Sequence, residues 1–134
     1  MPGKAFFDTN ILIYAIAQND PRTPRAEALL AAGGVVGVQV LNEFTSIARR
    51  KLRMPWKNVT DALDAIRILC PSPVPITLAT HEKALKIAEK QGFEIYDALV
   101  VAAALQAGCA ILYSEDMQHG QVIEGKLTIH NPFR

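Results

Sequence analysis

Short apolar runs alternate with stretches of helical periodicity along the whole chain, and that alternation restricts it to an α/β fold. Ala5-Phe6-Phe7 reads as a buried strand ending at Asp8. A short helix over Ile11–Ala17 follows, closed by the turn residues Asn19, Asp20 and Pro21. Thr23-Pro24 has the form of an N-cap with proline at the first helical position, and that helix runs to Gly33. Val35-Val36-Gly37-Val38 supplies a second strand. The next helix starts near Gln39, carries Val40, Leu41, Phe44, Ile47 and Ala48 at helical spacing, and ends in Arg49-Arg50-Lys51-Leu52-Arg53 before Pro55. Val59, Leu63, Ile66 and Leu69 mark another amphipathic helix. Pro71, Pro73 and Pro75 flank a short strand around Val74–Thr77, and a charged helix containing Ala84 to Ala88 is terminated by Gly92. Asp97–Ala107 reads as a buried helix, Ala110–Tyr113 as a strand leading into a loop from Ser114, and Leu127–Ile129 as a last edge strand. This order predicts a single domain over residues 1–134, with a central, mostly parallel sheet flanked by helices.

Composition narrows the classes. Half the residues are hydrophobic, which argues against disorder, and a net charge of +1 gives no global basic field for nucleic acid. Cys70 and Cys109 form no zinc-like spacing and sit among apolar neighbours, so they read as buried thiols in a reducing compartment. The start of the chain lacks the pattern of a signal peptide, and the apolar run Ala98–Leu105 is far too short to span a bilayer. A soluble cytoplasmic protein with no membrane partner is expected.

Four acids stand at element boundaries or in loops: Asp8, Glu43, Asp97 and Asp116. Ionised groups leaving water cost several kcal/mol unless compensated, and a divalent cation can compensate a cluster of them. In open α/β sheets ligands collect at the carboxyl ends of the strands. Asp8 ends the first strand, Glu115 and Asp116 follow the Ile111 strand, and Asp97 opens a helix that can point to the same rim. Glu43 lies on the margin of its helix's buried stripe. By contrast, Glu82 and Glu89 alternate with Lys83, Lys86 and Lys90 as on a solvated face. Each acid also has a structural reading. Asp8 would make an Asx-turn with Asn10, Asp97 an N-cap, Glu43 a helix-dipole partner, and Asp116 a turn.

Phe7-Asp8-Thr9-Asn10, Asn42-Glu43-Phe44, Tyr96-Asp97-Ala98 and Leu112-Tyr113-Ser114-Glu115-Asp116 together resemble the ordered motifs of PIN-domain ribonucleases, most closely the VapC-type toxins of toxin–antitoxin pairs. The resemblance spans nearly the whole chain. It implies a parallel sheet flanked by helices, one or two Mg²⁺ or Mn²⁺ ions held by Asp8, Glu43, Asp97 and Asp116, an RNA substrate, an antitoxin partner and a homodimer. The last motif departs from the common pattern: it reads Ser-Glu-Asp-Met-Gln-His-Gly, which leaves Glu115 as a rival to Asp116.

On this reading Asp8 and Asp97 are primary metal ligands and Asp116 holds a water or a second ion. Glu43 is a second-metal ligand or the base that orients water. Thr9, Asn10 and Ser114 are candidate donors that orient the carboxylates, or plain turn residues. Arg49, Arg50, Lys51 and Arg53 suit the negative end of a helix dipole and are also candidates for guiding RNA phosphates. His119 is expected to make a loop contact, and Trp56 to pack rather than stack on bases. Two alternatives stay open. One is a catalytically silent PIN-like binding or interaction module. The other is a haloacid-dehalogenase-type phosphotransferase, whose Asp-x-Asp has Asn10 in place of the second aspartate.

Overall fold

Phe6 and Phe7 are both fully buried although successive strand residues point to opposite faces, so helices must cover the sheet on both sides. The computed structural model describes residues 4–134. Its elements in chain order are β1 (Ala5–Phe7), α1 (Thr9–Ile16), α2 (Thr23–Ala31), α3 (Val38–Arg50), α4 (Trp56–Leu69) and α5 (Leu78–Gln91). There follow α6 (Ile95–Gln106), β2 (Ile111–Tyr113), β3 (Val122–Ile123) and β4 (Leu127–His130). The sheet order is β1-β2-β4-β3, with β1, β2 and β4 parallel and β3 antiparallel at the edge. This is the expected α/β architecture with a mostly parallel sheet.

The core joins Phe6, Ile11, Leu12, Phe44, Leu112 and Ile129 with the apolar length of α6, buried from Val100 to Ala104. α5 packs along α6, and Thr80 Oγ1 donates to Gln106 Oε1 across that contact at 2.8 Å. Both cysteines are buried, and burial pushes their thiols up to about 11, as inert packing thiols require. Among the described residues no helix is long and apolar enough to cross a membrane.

Three local expectations need correction. The Val35–Val38 segment does run beside β1, with Val35 N–H donating to Ala5 O at 2.8 Å and Phe7 N–H to Val35 O at 3.0 Å. It reduces, however, to single bridges of Phe6 with Val35 and Gly37 with Val74, because α3 begins at Val38 before a ladder can extend. The approach is close: a Cβ on Gly34 would stand 2.8 Å from Ala5 O and 2.5 Å from a Phe7 ring carbon, so only glycine fits. The Val74–Thr77 strand likewise shrinks to the Val74 bridge, since Thr77 is committed to capping α5 through reciprocal hydrogen bonds with Thr80. Third, Thr23 does not cap α2; Arg22 occupies that position, without a side-chain capping bond. β3 is an addition to the expected strands, and by pairing with β4 it takes the sheet edge expected for Leu127–Ile129. Glu124 and Gly125, with φ of 53° and 65°, turn the β3–β4 hairpin in the manner that favours tight hairpins.

Candidate active site

β1 and β2 are parallel with Phe7 opposite Tyr113, so the residues that follow both strands leave the sheet at one rim. Asp8 N–H donates to Tyr113 O at 3.0 Å and Ser114 N–H to His130 O at 3.1 Å, which extends the pairing to the acidic segments themselves. Asp8 then caps α1, its Oδ1 accepting from Thr9 N–H at 2.7 Å. The structural role of Asp8 and its place at the rim therefore coexist. Its other oxygen accepts from Ser114 Oγ at 2.7 Å, and Ser114 Oγ in turn accepts from Asp116 N–H at 3.2 Å.

Two residues of the first turn of α1 reach the other acids. Thr9 Oγ1 donates to Glu43 Oε2 at 3.0 Å, and Asn10 Nδ2 donates to Asp116 Oδ2 at 3.2 Å. Asn10 Oδ1 also accepts from Glu115 N–H at 3.2 Å. Glu43 arrives from the second turn of α3, where its Oε1 accepts from Gln39 Nε2 at 3.0 Å. The same Gln39 Nε2 lies 3.3 Å from Tyr96 O, next to Asp97. Asp97 is not the N-cap of its helix. Glu94 takes that role, accepting from Tyr96 N–H at 3.1 Å, and Asp97 is left in the first turn of α6 with its carboxylate free of that task.

Electrostatics tie the four acids together. Burial pushes the Asp8 carboxyl up to about 6 against the bonds from Ser114 and Thr9, which lower it, while Asp116 and Asp97 raise it further. Asp97 is raised by its own partial burial, then by Glu94, Asp116 and Glu43. Asp8 is only 5 % exposed, so no bulk water offsets this repulsion. Among the described residues neither Asp8 nor Asp97 takes part in an ion pair. The donor set is oxygen only, the chemistry of a hard divalent cation. Among the described residues no group of three acidic, histidine or cysteine side chains converges at ligand distance. Two of these carboxylates would suffice for Mg²⁺, which retains several waters and takes one or two carboxylates directly.

Glu115 points elsewhere: its carboxylate accepts from Tyr14 Oη at 2.7 Å and from Arg22 Nη1 at 3.0 Å. Of the remaining basic residues, Arg49 is engaged at the end of α3, donating to Met54 O at 2.8 Å and lying 4.4 Å from the centre of the Trp56 ring. Trp56 thus lies against Arg49 yet stays 58 % exposed, and Arg50, Lys51 and Arg53 are exposed too. His119 Nδ1 accepts from Asn131 N–H at 3.0 Å, the expected loop contact. Sequence reasoning missed Gln39, Tyr14 and Arg22. Gln39 stands one helical turn before Glu43 and Tyr14 one turn after Asn10, spacings that place each pair on one face. Arg22 is 93 residues from Glu115 and carried no signal.

The PIN-domain family model matches residues 5–123. Similar solved structures include a toxin–antitoxin complex from Klebsiella pneumoniae, with a TM-score of 0.72 and 18 % identity, covering 96 % of this chain and 97 % of that one. Another is Mycobacterium tuberculosis VapC20, a sarcin–ricin loop cleaving toxin, at 0.67 and 20 %, covering 84 % and 91 %. A third is VapBC2 from Rickettsia felis, bound to a DNA fragment from its promoter, at 0.65 and 18 %, covering 95 % and 97 %. These likenesses establish the fold. No curated protein sequence matches the chain.

Proposed function

This chain belongs to the PIN-domain family, and from that premise we propose that it is a divalent-metal-dependent endoribonuclease acting as the toxin of a toxin–antitoxin pair. The observation that carries the reading is the buried Asp8 carboxyl, raised by burial and by Asp116 and Asp97 and in no ion pair among the described residues. Such a centre is unfavourable unless positive charge enters it, and structural acids have no reason to be gathered this way. The RNA substrate and the antitoxin partner draw support from the similar solved toxins, one of which cleaves the sarcin–ricin loop.

Asp8 and Asp97 would hold Mg²⁺ or Mn²⁺, with Asp116 holding a water or a second ion. The bound cation supplies charge neutralisation at the scissile phosphodiester and a more acidic water. Glu43 would orient an attacking water and take its proton, because Thr9 and Gln39 fix both its oxygens. Hydrolysis would form the water oxygen–phosphorus bond and break the bond from phosphorus to the 3′ oxygen, which leaves with a proton drawn from solvent, while Glu43 returns the proton it took to solvent. Ser114 and Thr9 hold the Asp8 carboxylate in one orientation throughout.

A catalytically silent PIN module is favoured by one observation: among the described residues no three acidic, histidine or cysteine side chains gather as a metal site. One assay separates the two readings. Folded RNA and single-stranded DNA are incubated with protein stripped by EDTA, before and after Mg²⁺ or Mn²⁺ is added back. Internal RNA cuts that return with the metal are expected; cutting that persists in excess EDTA, or none with either metal, overturns the proposal.

A further inference from the structure

Glu115 and Asp116 are adjacent acids after β2, and the fold sends them in different directions. Asp116 Oδ2 is held by Asn10 Nδ2, and Asp116 contributes to the charge felt by Asp8 and Asp97. Glu115 is held one turn further along α1, on Tyr14. Three polar groups close a triangle there: Tyr14 Oη donates to Glu115 Oε1 at 2.7 Å, while Arg22 Nη1 donates to Tyr14 Oη at 2.8 Å and to Glu115 Oε1 at 3.0 Å.

Arg22 is itself oriented from behind. Its Nε donates to Asp20 Oδ1 at 2.9 Å and its Nη2 to Asp20 Oδ2 at 2.8 Å, a bidentate pair on the neighbouring turn. The guanidinium carbon lies 3.7 Å from the Tyr14 ring centroid, and Phe133 meets the same ring edge-on with centroids 5.3 Å apart. Only a planar five-donor fork can grip Asp20, reach Tyr14 and Glu115, and stack on the ring at once; an ammonium cannot. An ion pair with this much exposure contributes little to global stability. The arrangement acts instead on the loop, which it ties to the start of α2.

We propose that Arg22 is a positioning residue: by fixing Glu115 on Tyr14 it anchors the Glu115–Asp116 loop and thereby sets the Asp116 carboxylate beside Asp8. Its effect on cleavage rests on the nuclease reading above; its effect on the loop does not. The amide hydrogens of Glu115 and Asp116, bonded to Asn10 Oδ1 and Ser114 Oγ, report the loop directly.

The test compares full-length wild type with Arg22→Met, which keeps the unbranched stem, and with Arg22→Lys, which keeps the charge without the fork. Amide hydrogen exchange at Glu115 and Asp116 is expected to rise about tenfold or more in both variants, with α5 unchanged. Exchange at the two amides that matches wild type overturns the proposal, whether or not the protein cuts RNA. If the wild type cuts RNA with Mn²⁺, Arg22→Met is expected to lower kcat about 10- to 100-fold with KM nearly unchanged. Single-turnover cleavage by Asp116→Asn should then fall no further when Arg22→Met is added, and fully multiplicative losses overturn the assignment. A wild type that cuts no RNA removes the nuclease reading alone, and the exchange result still decides the role of Arg22.

Discussion

Replacing Asp8 with asparagine removes one charge from the buried acidic centre and keeps the side-chain shape. An Asp8 carboxyl at about 6 in the folded protein, against 3.8 in an ordinary chain, means that the folded state binds a proton more tightly than the unfolded one. Stability is therefore greatest below pH 4 as far as this group is concerned, falls as pH rises from about 4 to 6, and stays low above that window. At roughly 1.4 kcal/mol per tenfold change in proton affinity, the ionised carboxylate costs the fold on the order of 3 kcal/mol at neutral pH. Asparagine can still accept from Thr9 N–H, but its amide cannot accept from Ser114 Oγ as Asp8 Oδ2 does, so about 3 kcal/mol is an upper bound on the gain. Urea denaturation in EDTA at pH 4 and pH 7 measures this. The expected result is that Asp8→Asn equals or exceeds wild type at pH 7, that the gap narrows or reverses at pH 4, and that RNA cleavage is abolished. Saturating Mg²⁺ should then raise the wild-type melting temperature more than the variant's. Parallel pH profiles with a variant less stable at both values would refute the reasoning and leave Asp8 as a helix cap.

Glu115→Gln is expected to reduce RNA cleavage less than Asp116→Asn does, because Glu115 is engaged by Tyr14 and Arg22; the reverse order in a rate assay would transfer the site role to Glu115. Charge reversal at Arg50 and Lys51, both exposed, should weaken RNA binding and lower the slope of log affinity against log salt by about 1 to 2. Arg49 is left out of that test since it supports Met54 and Trp56, and an unchanged slope would assign the cluster to the helix end. Gly34→Ala is expected to destabilise by about 2 kcal/mol or more, since its Cβ would meet the Ala5 carbonyl at 2.8 Å; a wild-type denaturation midpoint would show that β1 yields freely.

The parts of this protein legible in its sequence are those governed by local pattern. The strand–acid order of β1 and Asp8, and of β2 and Asp116, follows from apolar runs ending at a charged residue, and parallel pairing then brings their ends together. The apolar stripe of α3 likewise places Glu43 at its margin. Less legible were features decided by partners distant in the chain. Val35 pairs with β1 only as far as the start of α3 allows, and Glu94 displaces Asp97 as cap by reaching Tyr96 N–H. The sorting of Glu115 from Asp116 depends on Arg22 and Tyr14, which no local spacing connects to β2. The β3–β4 hairpin left one cue, Gly125 at a positive-φ turn position; Glu124 beside it is not a residue that favours positive φ, and a two-residue strand gave too short an alternation to notice.

The claim that Asp8, Glu43, Asp97 and Asp116 form one metal site is tested most directly by titrating paramagnetic Mn²⁺ into protein labelled at its carboxylate carbons. Selective loss of those four side-chain signals at substoichiometric Mn²⁺, restored by EDTA and absent in Asp8→Asn, is the predicted result. Unchanged signals for the four acids, or losses centred on Glu82, Glu89 or other surface carboxylates, would contradict it.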